Sequence, residues 1–230
     1  MNLVIINCSP RTAAKSNTEM VIAAFCKGFE ARGNTSELWH LSKRDEWKNA
    51  RDAFASKEQI LFALPLYVEN VPGILLEFLQ SLPKKSAPGT KVTFLIQGGF
   101  EEAIQAACAK AYVEMLPSYL GCDYAGTLTK GGLFGVNFLP EKMSRSVLEH
   151  FEDARREFAK AGCFSEKYTK AFAGPEHYSK AEIQKYELIG CHLSKFMMGR
   201  IARKLGCKEK LDVQPYKAAQ FPHNASRNNT

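Results

Sequence analysis

Through the first 165 residues the chain alternates between two hydrophobic patterns. Five short runs are strand-like and as a group rich in Val, Ile, Leu and Phe: Leu3–Asn7, Thr35–Leu41, Gln59–Leu64, Lys91–Gln97 and Tyr124–Thr129. Between them lie longer helix-like segments, Asn17–Ala31, Arg44–Phe54, Pro72–Leu82, Glu101–Tyr119 and Lys142–Ala161. Continuous Val/Ile/Leu/Phe runs are what parallel strands look like when helices cover both faces of their sheet. Strands interleaved with helices predict a doubly wound α/β sheet of five parallel strands. Right-handed crossovers then leave few topologies. The punctuation agrees: Gly33-Asn34 closes the first helix, Pro72 sits near the start of another, and Pro88-Gly89 turns the chain into the fourth strand.

After Gly162 the pattern changes. Gly174-Pro175 breaks the chain, and a long helix is expected from Ser179 to Leu205. Its apolar residues Ile183, Tyr186, Ile189, Leu193, Phe196, Met197, Ile201 and Leu205 recur at helical spacing opposite a Lys/Arg face. The apolar side is expected to pack on the domain or on a second subunit. The end of the chain, with Pro215 and Pro222, reads as loosely ordered. The expected organisation is a domain over residues 1–165 and a basic helical C-terminal extension over 166–230.

Composition narrows the class. Of 230 residues, 45% are apolar and 24% charged, ordinary for a globular chain. No apolar run approaches the roughly 20 residues of a membrane span, and Met1–Asn7 is too short for a leader peptide, so a cytoplasmic location is expected. The net charge of +7 invites a nucleic-acid or membrane reading. However, Ser165–Thr230 holds 12 Lys and Arg against 6 Asp and Glu, so a surplus of six sits in the last third. A basic tail without a binding motif gives no reason to expect nucleic acid or membrane as partner. The seven cysteines are scattered without a Cys-x-x-Cys, and the five histidines are dispersed, so neither a disulfide framework nor a metal is expected.

Ligands of open α/β sheets bind beyond the carboxyl ends of the strands, where strand order reverses. Three loops therefore matter. "NCSPRTAAKSNT" after the first strand offers the hydroxyls of Ser9, Thr12, Ser16 and Thr18, the amide of Asn17 and the fork-shaped cation of Arg11. The free N–H groups of the following helix add a positive dipole end that suits a phosphate dianion. The same residues also read as an ordinary capped helix start with Ser16 or Asn17 as N-cap. Neither a Walker loop nor a Gly-x-Gly-x-x-Gly fingerprint is present. "ALPLYVENVPG" after the third strand puts Pro65 and the ring of Tyr67 at the strand end, either as a wall for a planar ligand or as a plain loop aromatic. "LIQGGFEEA" after the fourth has Gly98-Gly99, which lets a ligand approach the backbone, or serves a plain turn; Phe100 follows as a cover and Glu101 as a helix start. "TKGGLFGVNF", Thr129–Phe138, is either a flap beside the pocket, with Phe134 or Phe138 shaping it, or an irregular loop packed on its own domain.

Taken together, these loops resemble the flavodoxin-like NAD(P)H-dependent FMN reductases and related quinone reductases. In that family the first loop commonly reads Gly-Ser-Pro-Arg…Ser-Asn-Thr, matched by "CSPRTAAKSNT". The second reads Pro-x-Tyr-x-x-x-x-Pro, matched by "PLYVENVP", and the third is a Gly-rich turn ending in an aromatic, like "GGF". The resemblance spans roughly Met1–Ala161. It implies a flavodoxin-like fold and FMN, with the phosphate held by Ser9, Arg11, Ser16, Asn17 and Thr18. The flavin ring would lie against Pro65, Leu66, Tyr67, Val68, Gly98, Gly99 and Phe100. It also implies NAD(P)H as hydride donor, a small acceptor such as a quinone, azo compound or free flavin, and a homodimer. The flavin would carry the chemistry, so no catalytic side chain is expected. Two departures stand out. Cys8 replaces the family's usual Gly, either as a redox thiol or as a small buried residue. The helix after the second loop, "GILLEFLQSL", lacks the family's frequent lysine and terminal Asp-Arg. These leave two alternatives: a module with a degenerate flavin site that acts by binding, and a flavodoxin-type electron carrier.

Overall fold

A computed structural model of the chain describes residues 1–27, 29, 33–85, 89–209 and 211–213. The expected end of the first helix at Ala31, Pro88 of the turn, and the tail from residue 214 onward lie outside the described residues.

Five parallel strands form one sheet in the order β2-β1-β3-β4-β5: β1 (Asn2–Asn7), β2 (Thr35–His40), β3 (Gln59–Pro65), β4 (Lys91–Gln97) and β5 (Asp123–Lys130). This is the expected flavodoxin-like, doubly wound sheet. Successive residues of β1 feed opposite faces: Val4, Ile6 and Cys8 enter one core, Leu3 and Ile5 the other. On the first face they meet α2 (Trp47–Ser56), α3 (Gly73–Gln80) and α4 (Ala107–Leu120) through Phe54, Phe78 and Val113. On the second they meet α1 (Asn17–Cys26) and α5 (Glu141–Ala161) through Phe25, Phe151 and Phe158. Each fully buried Leu, Ile or Phe contributes about 1.5–3 kcal/mol relative to exposure. With both faces covered, β1, β3 and β4 cannot shift register without exposing such residues.

Two helix starts differ from expectation. Glu101 does not open a helix: a 3-10 turn at Ala103–Ala106 leads into α4 at Ala107. The single helix expected over Ser179–Leu205 is split into α7 (Lys180–Lys185) and α8 (Cys191–Lys204) by a π turn, Tyr186–Gly190, that ends at a glycine, a poor helix former. The chain divides into two compact units, Met1–Tyr178 and the residues from Ser179 on. The first unit includes α6 (Glu166–Ala173), whose Tyr168 and Phe172 pack on the second core, with Phe172 edge-on to Phe151 at 5.4 Å. Among the described residues no helix is long and apolar enough to cross a membrane.

Candidate cofactor-binding site

The strand order reverses between β1 and β3, so the first, second and third loops converge at one end of the sheet. The first loop is shaped by side chain–backbone bonds. Asn7, the last residue of β1, accepts the Ser9 N–H at 3.0 Å on Oδ1, and Ser9 Oγ accepts the Arg11 N–H at 3.2 Å. These bends turn the chain out of the strand. Ser16 then caps α1, its Oγ accepting the Glu19 N–H at 3.3 Å. Ser9 and Ser16 are both buried, and each hydroxyl that accepts a bond keeps its proton to donate. Asn17 and Thr18 open α1, so their N–H groups have no helical carbonyl to bond and stand at the positive end of the helix. Arg11 is exposed on the outer turn of the loop.

Two of the expected phosphate ligands are engaged elsewhere through their side chains. Thr18 is fully buried, and its Oγ1 accepts from Gln97 Nε2 of β4 at 3.3 Å. The Asn17 amide donates to the Leu133 carbonyl at 2.9 Å, while its buried Oδ1 has no hydrogen-bond partner. What these two residues turn toward the loop is backbone.

Cys8, in the position of the family's glycine, is fully buried, with its N–H on Ala63 O at 2.8 Å and its thiol donating to Ile6 O at 3.3 Å. Its backbone is not in the left-handed region, where among the described residues only Val68 and Glu69 lie besides glycines. The substitution therefore strains nothing. Burial pushes the thiol well above its ordinary pKa, so it stays protonated and is a poor nucleophile.

The second loop folds as a tight reverse turn. Tyr67 and Asn70 exchange N–H···O bonds of 3.0 Å each, with Val68 at φ 47° and Glu69 at φ 62° between them. A turn of this hand needs positive φ at both central residues, which costs a β-branched valine about 1–2 kcal/mol. Val68 is 99% exposed and Tyr67 39%. Pro65 ends β3 beside Gln97, and the Leu66 N–H bonds Gln97 O at 2.7 Å, joining the second loop to the third.

The third loop is joined in turn to the β5–α5 connection. Gly98 N–H reaches Lys130 O at 2.9 Å, Leu133 N–H reaches Gly98 O at 3.0 Å, and Gly132 N–H reaches Phe100 O at 3.1 Å. A Cβ at Gly131 would lie 1.9 Å from Phe100 O, so only glycine permits this crossing. At Gly98 and Gly99 a Cβ would meet Leu66 and Phe134 at an ordinary 3.5 Å. The Thr129–Phe138 segment is thus an anchored wall: Leu133 is fully buried, and Phe134 and Phe100 stand 63% and 75% exposed. The crevice under Phe100, lined by Leu66, Ile96 and Ala106, holds only about 10 Å³, room for a water at most. Any larger ligand must lie outside this crevice, against the exposed surfaces of the loops.

A polar relay missed by the sequence reading supports the first loop. Asn7 Nδ2 donates to Glu19 Oε2 at 2.8 Å, and Glu19 meets His40 Nε2 at 3.0 Å. His40 lies at 3.4 Å from Glu46 through Nδ1 and donates its N–H to the same carboxylate at 2.8 Å. Burial works to raise the Glu46 carboxyl, but Lys43 and the His40 N–H together hold it below its ordinary value. The signal was an Asn at the strand end, which becomes readable only once β2 is known to lie beside β1.

A comparison with protein-family profiles finds no match, and a comparison with curated protein sequences finds none either. Solved structures do match. An FMN-dependent NADH-azoreductase from Bacillus anthracis str. Ames Ancestor, in complex with FMN, superposes with a TM-score of 0.52 at 15% identity, covering 69% of this chain and 100% of the other. The NADH:FMN oxidoreductase EMOB, in its apo form, gives 0.53 at 20% identity, covering 76% and 96%. An NAD(P)H:quinone oxidoreductase from Methanothermobacter marburgensis gives 0.50 at 17% identity, covering 69% and 96%. At these identities the likeness establishes the fold. The resemblance read from the three loops and the likeness read from the backbone fall on the same group of proteins.

Proposed function

We propose that the chain is an FMN-dependent oxidoreductase that passes reducing equivalents from NAD(P)H to a small electrophilic acceptor such as a quinone, azo compound or free flavin. The observation that carries this reading is the junction of a donor-rich loop with an exposed aromatic slot at the strand-order switch. The free N–H groups of Asn17 and Thr18, the spare hydroxyl protons of Ser9 and Ser16, and the Arg11 cation suit a phosphate dianion. The unpartnered buried Oδ1 of Asn17 is an acceptor left for a hydroxyl donor at the same place. Pro65, Leu66, Tyr67 and Val68 on one side and Gly98, Gly99 and Phe100 on the other suit a planar ring, with Gly98-Gly99 leaving the backbone approachable. FMN fits this set. The chemistry it supplies when bound is two-electron transfer between nicotinamide and acceptor. The protein's part is to hold phosphate and ring, orient the stacking partner and limit water at the slot.

Homodimer formation belongs to the same reading. Tyr112, Met115 and Tyr119 recur on the outer side of α4 with exposures of 38%, 57% and 67%. An apolar stripe of this kind suits burial in a second copy.

The test is the visible spectrum of the purified protein before and after FMN loading, followed by anaerobic NADH or NADPH. A retained flavin band that bleaches supports the proposal, and Arg11→Ala then weakens FMN binding roughly tenfold or more, the loss of one charge-assisted bond. Absence of a band after loading overturns it. A band that neither nicotinamide bleaches assigns the protein to electron carriage.

A further inference from the structure

The second unit carries a surface that the proposed reductase reading does not use. Helix α8, CHLSKFMMGRIARK, has four cations, Lys195, Arg200, Arg203 and Lys204, and no carboxylate. Phe196, Arg200 and Arg203 are spaced i, i+4, i+7 and so share one face. The arginines are exposed, and Phe196, 60% exposed, stands among them with the Arg200 guanidinium 5.9 Å from its ring centroid. Leu188, in the turn before α8, is 78% exposed. A helix in water gains nothing by presenting these side chains.

We infer that α8 and its flanks form a docking surface for an anionic lipid membrane. Basic side chains near such a surface are drawn to its negative potential, while an aromatic side chain among them enters the headgroup–acyl boundary. Charge selects this occupant. A second copy meeting the same face across a two-fold axis would bring two sets of the same four cations together. A nucleic acid strand is bound by successive aromatic platforms along a basic groove, and Phe196 is the one aromatic ring of Phe, Tyr or Trp type in α8. The basic tail, read without a binding motif, carried the expectation of no membrane partner, and no helix among the described residues is long and apolar enough to cross one. Lying on a bilayer needs only this short, basic, aromatic-bearing face.

The test is sedimentation of the full-length protein with vesicles of phosphatidylcholine, with and without phosphatidylserine. Co-sedimentation with the anionic vesicles, its loss on the neutral ones and its reversal by added salt are the expected results. Arg200→Gln with Arg203→Gln lowers the partition coefficient about thirtyfold, and Phe196→Ser weakens it further. All three residues are exposed, so the melting temperature of these variants stays that of the parent, which separates lost docking from lost folding. Equal binding to neutral vesicles, no binding to anionic ones, or indifference to the double substitution overturns the inference. Binding of a single-stranded oligonucleotide that depends on the two arginines, without vesicle binding, overturns it in favour of nucleic acid.

Discussion

Alanine at three glycines around the slot separates what glycine does for the fold from what it does for a ligand. In Gly131→Ala the new methyl falls 1.9 Å from Phe100 O, where real contacts keep at least 3.0 Å, so the two loops must part by about an ångström. That movement breaks the Gly132 N–H···O bond to Phe100. The lost bond costs about 0.5–1.5 kcal/mol and the overpacking about 1–3 kcal/mol, together about 1.5–4.5 kcal/mol. For a unit of this size the melting temperature should fall by roughly 5–15 °C. Gly98→Ala and Gly99→Ala place their methyls at an ordinary 3.5 Å from Leu66 and Phe134, without left-handed backbone, so stability should change by no more than about 0.5 kcal/mol. If these two glycines face the flavin ring, the added methyls hold it off the backbone, and FMN affinity falls at least about tenfold. Thermal melts of the three apo variants and fluorescence titrations with FMN measure both quantities. A Gly131→Ala protein as stable as the parent would refute the steric argument. Unchanged FMN affinity in both Gly98→Ala and Gly99→Ala would refute the placement of the ring.

Asn7→Ala removes the acceptor for the Ser9 N–H and the donor to Glu19, leaving a buried N–H unpaired; it should cost about 2 kcal/mol in a urea melt and weaken FMN binding with it. Met115→Lys puts a charge in the α4 stripe and should shift the protein toward monomer in sedimentation velocity, whereas an unshifted profile excludes that stripe as the dimer contact. The exposed Cys108 and Cys207 should react with a thiol reagent in the native protein, and Cys8 only after unfolding. Because the folded pKa of Cys8 is raised, its contribution is intact below the ordinary thiol pKa and declines as pH rises above it; Cys8→Ala should lessen the alkaline loss of stability.

The central strands β1, β3 and β4 were legible because they are mostly apolar, and their ends at Asn7, Pro65 and Gln97 located the site loops. The orientation of side chains within those loops was not legible. Thr18 reads as a hydroxyl for phosphate, yet one turn of helix aims it at Gln97, a residue on a strand 79 positions away. The Asn7–Glu19–His40 relay depends on β2 lying next to β1, a non-local fact. Glu101 reads as a helix start, but its carboxylate accepts from the Tyr178 hydroxyl, and that of Glu102 accepts the Tyr178 N–H at 2.8 Å. The carbonyls of Pro175 and Glu176 then accept the N–H groups of Ala103 and Ile104. No local pattern in "GGFEEA" reports a segment that far along the chain.

Those distant contacts bear on how the slot works. Each wall is fastened to a neighbour: Asn17 to Leu133, Leu66 to Gln97, Leu133 to Gly98, Gly132 to Phe100. Swinging the Gly131–Phe138 segment away as a lid would expose Leu133 and break three of these bonds at once, at a cost of several kcal/mol. Rotation of the exposed side chains of Phe134, Phe100 and Tyr67 breaks none of them. If the chain acts as the proposed reductase, acceptor choice then rests on these exposed rings and not on movement of the segment. Exchanging Phe134 for alanine should consequently change KM for bulky acceptors more than for small ones while leaving FMN affinity and stability near those of the parent.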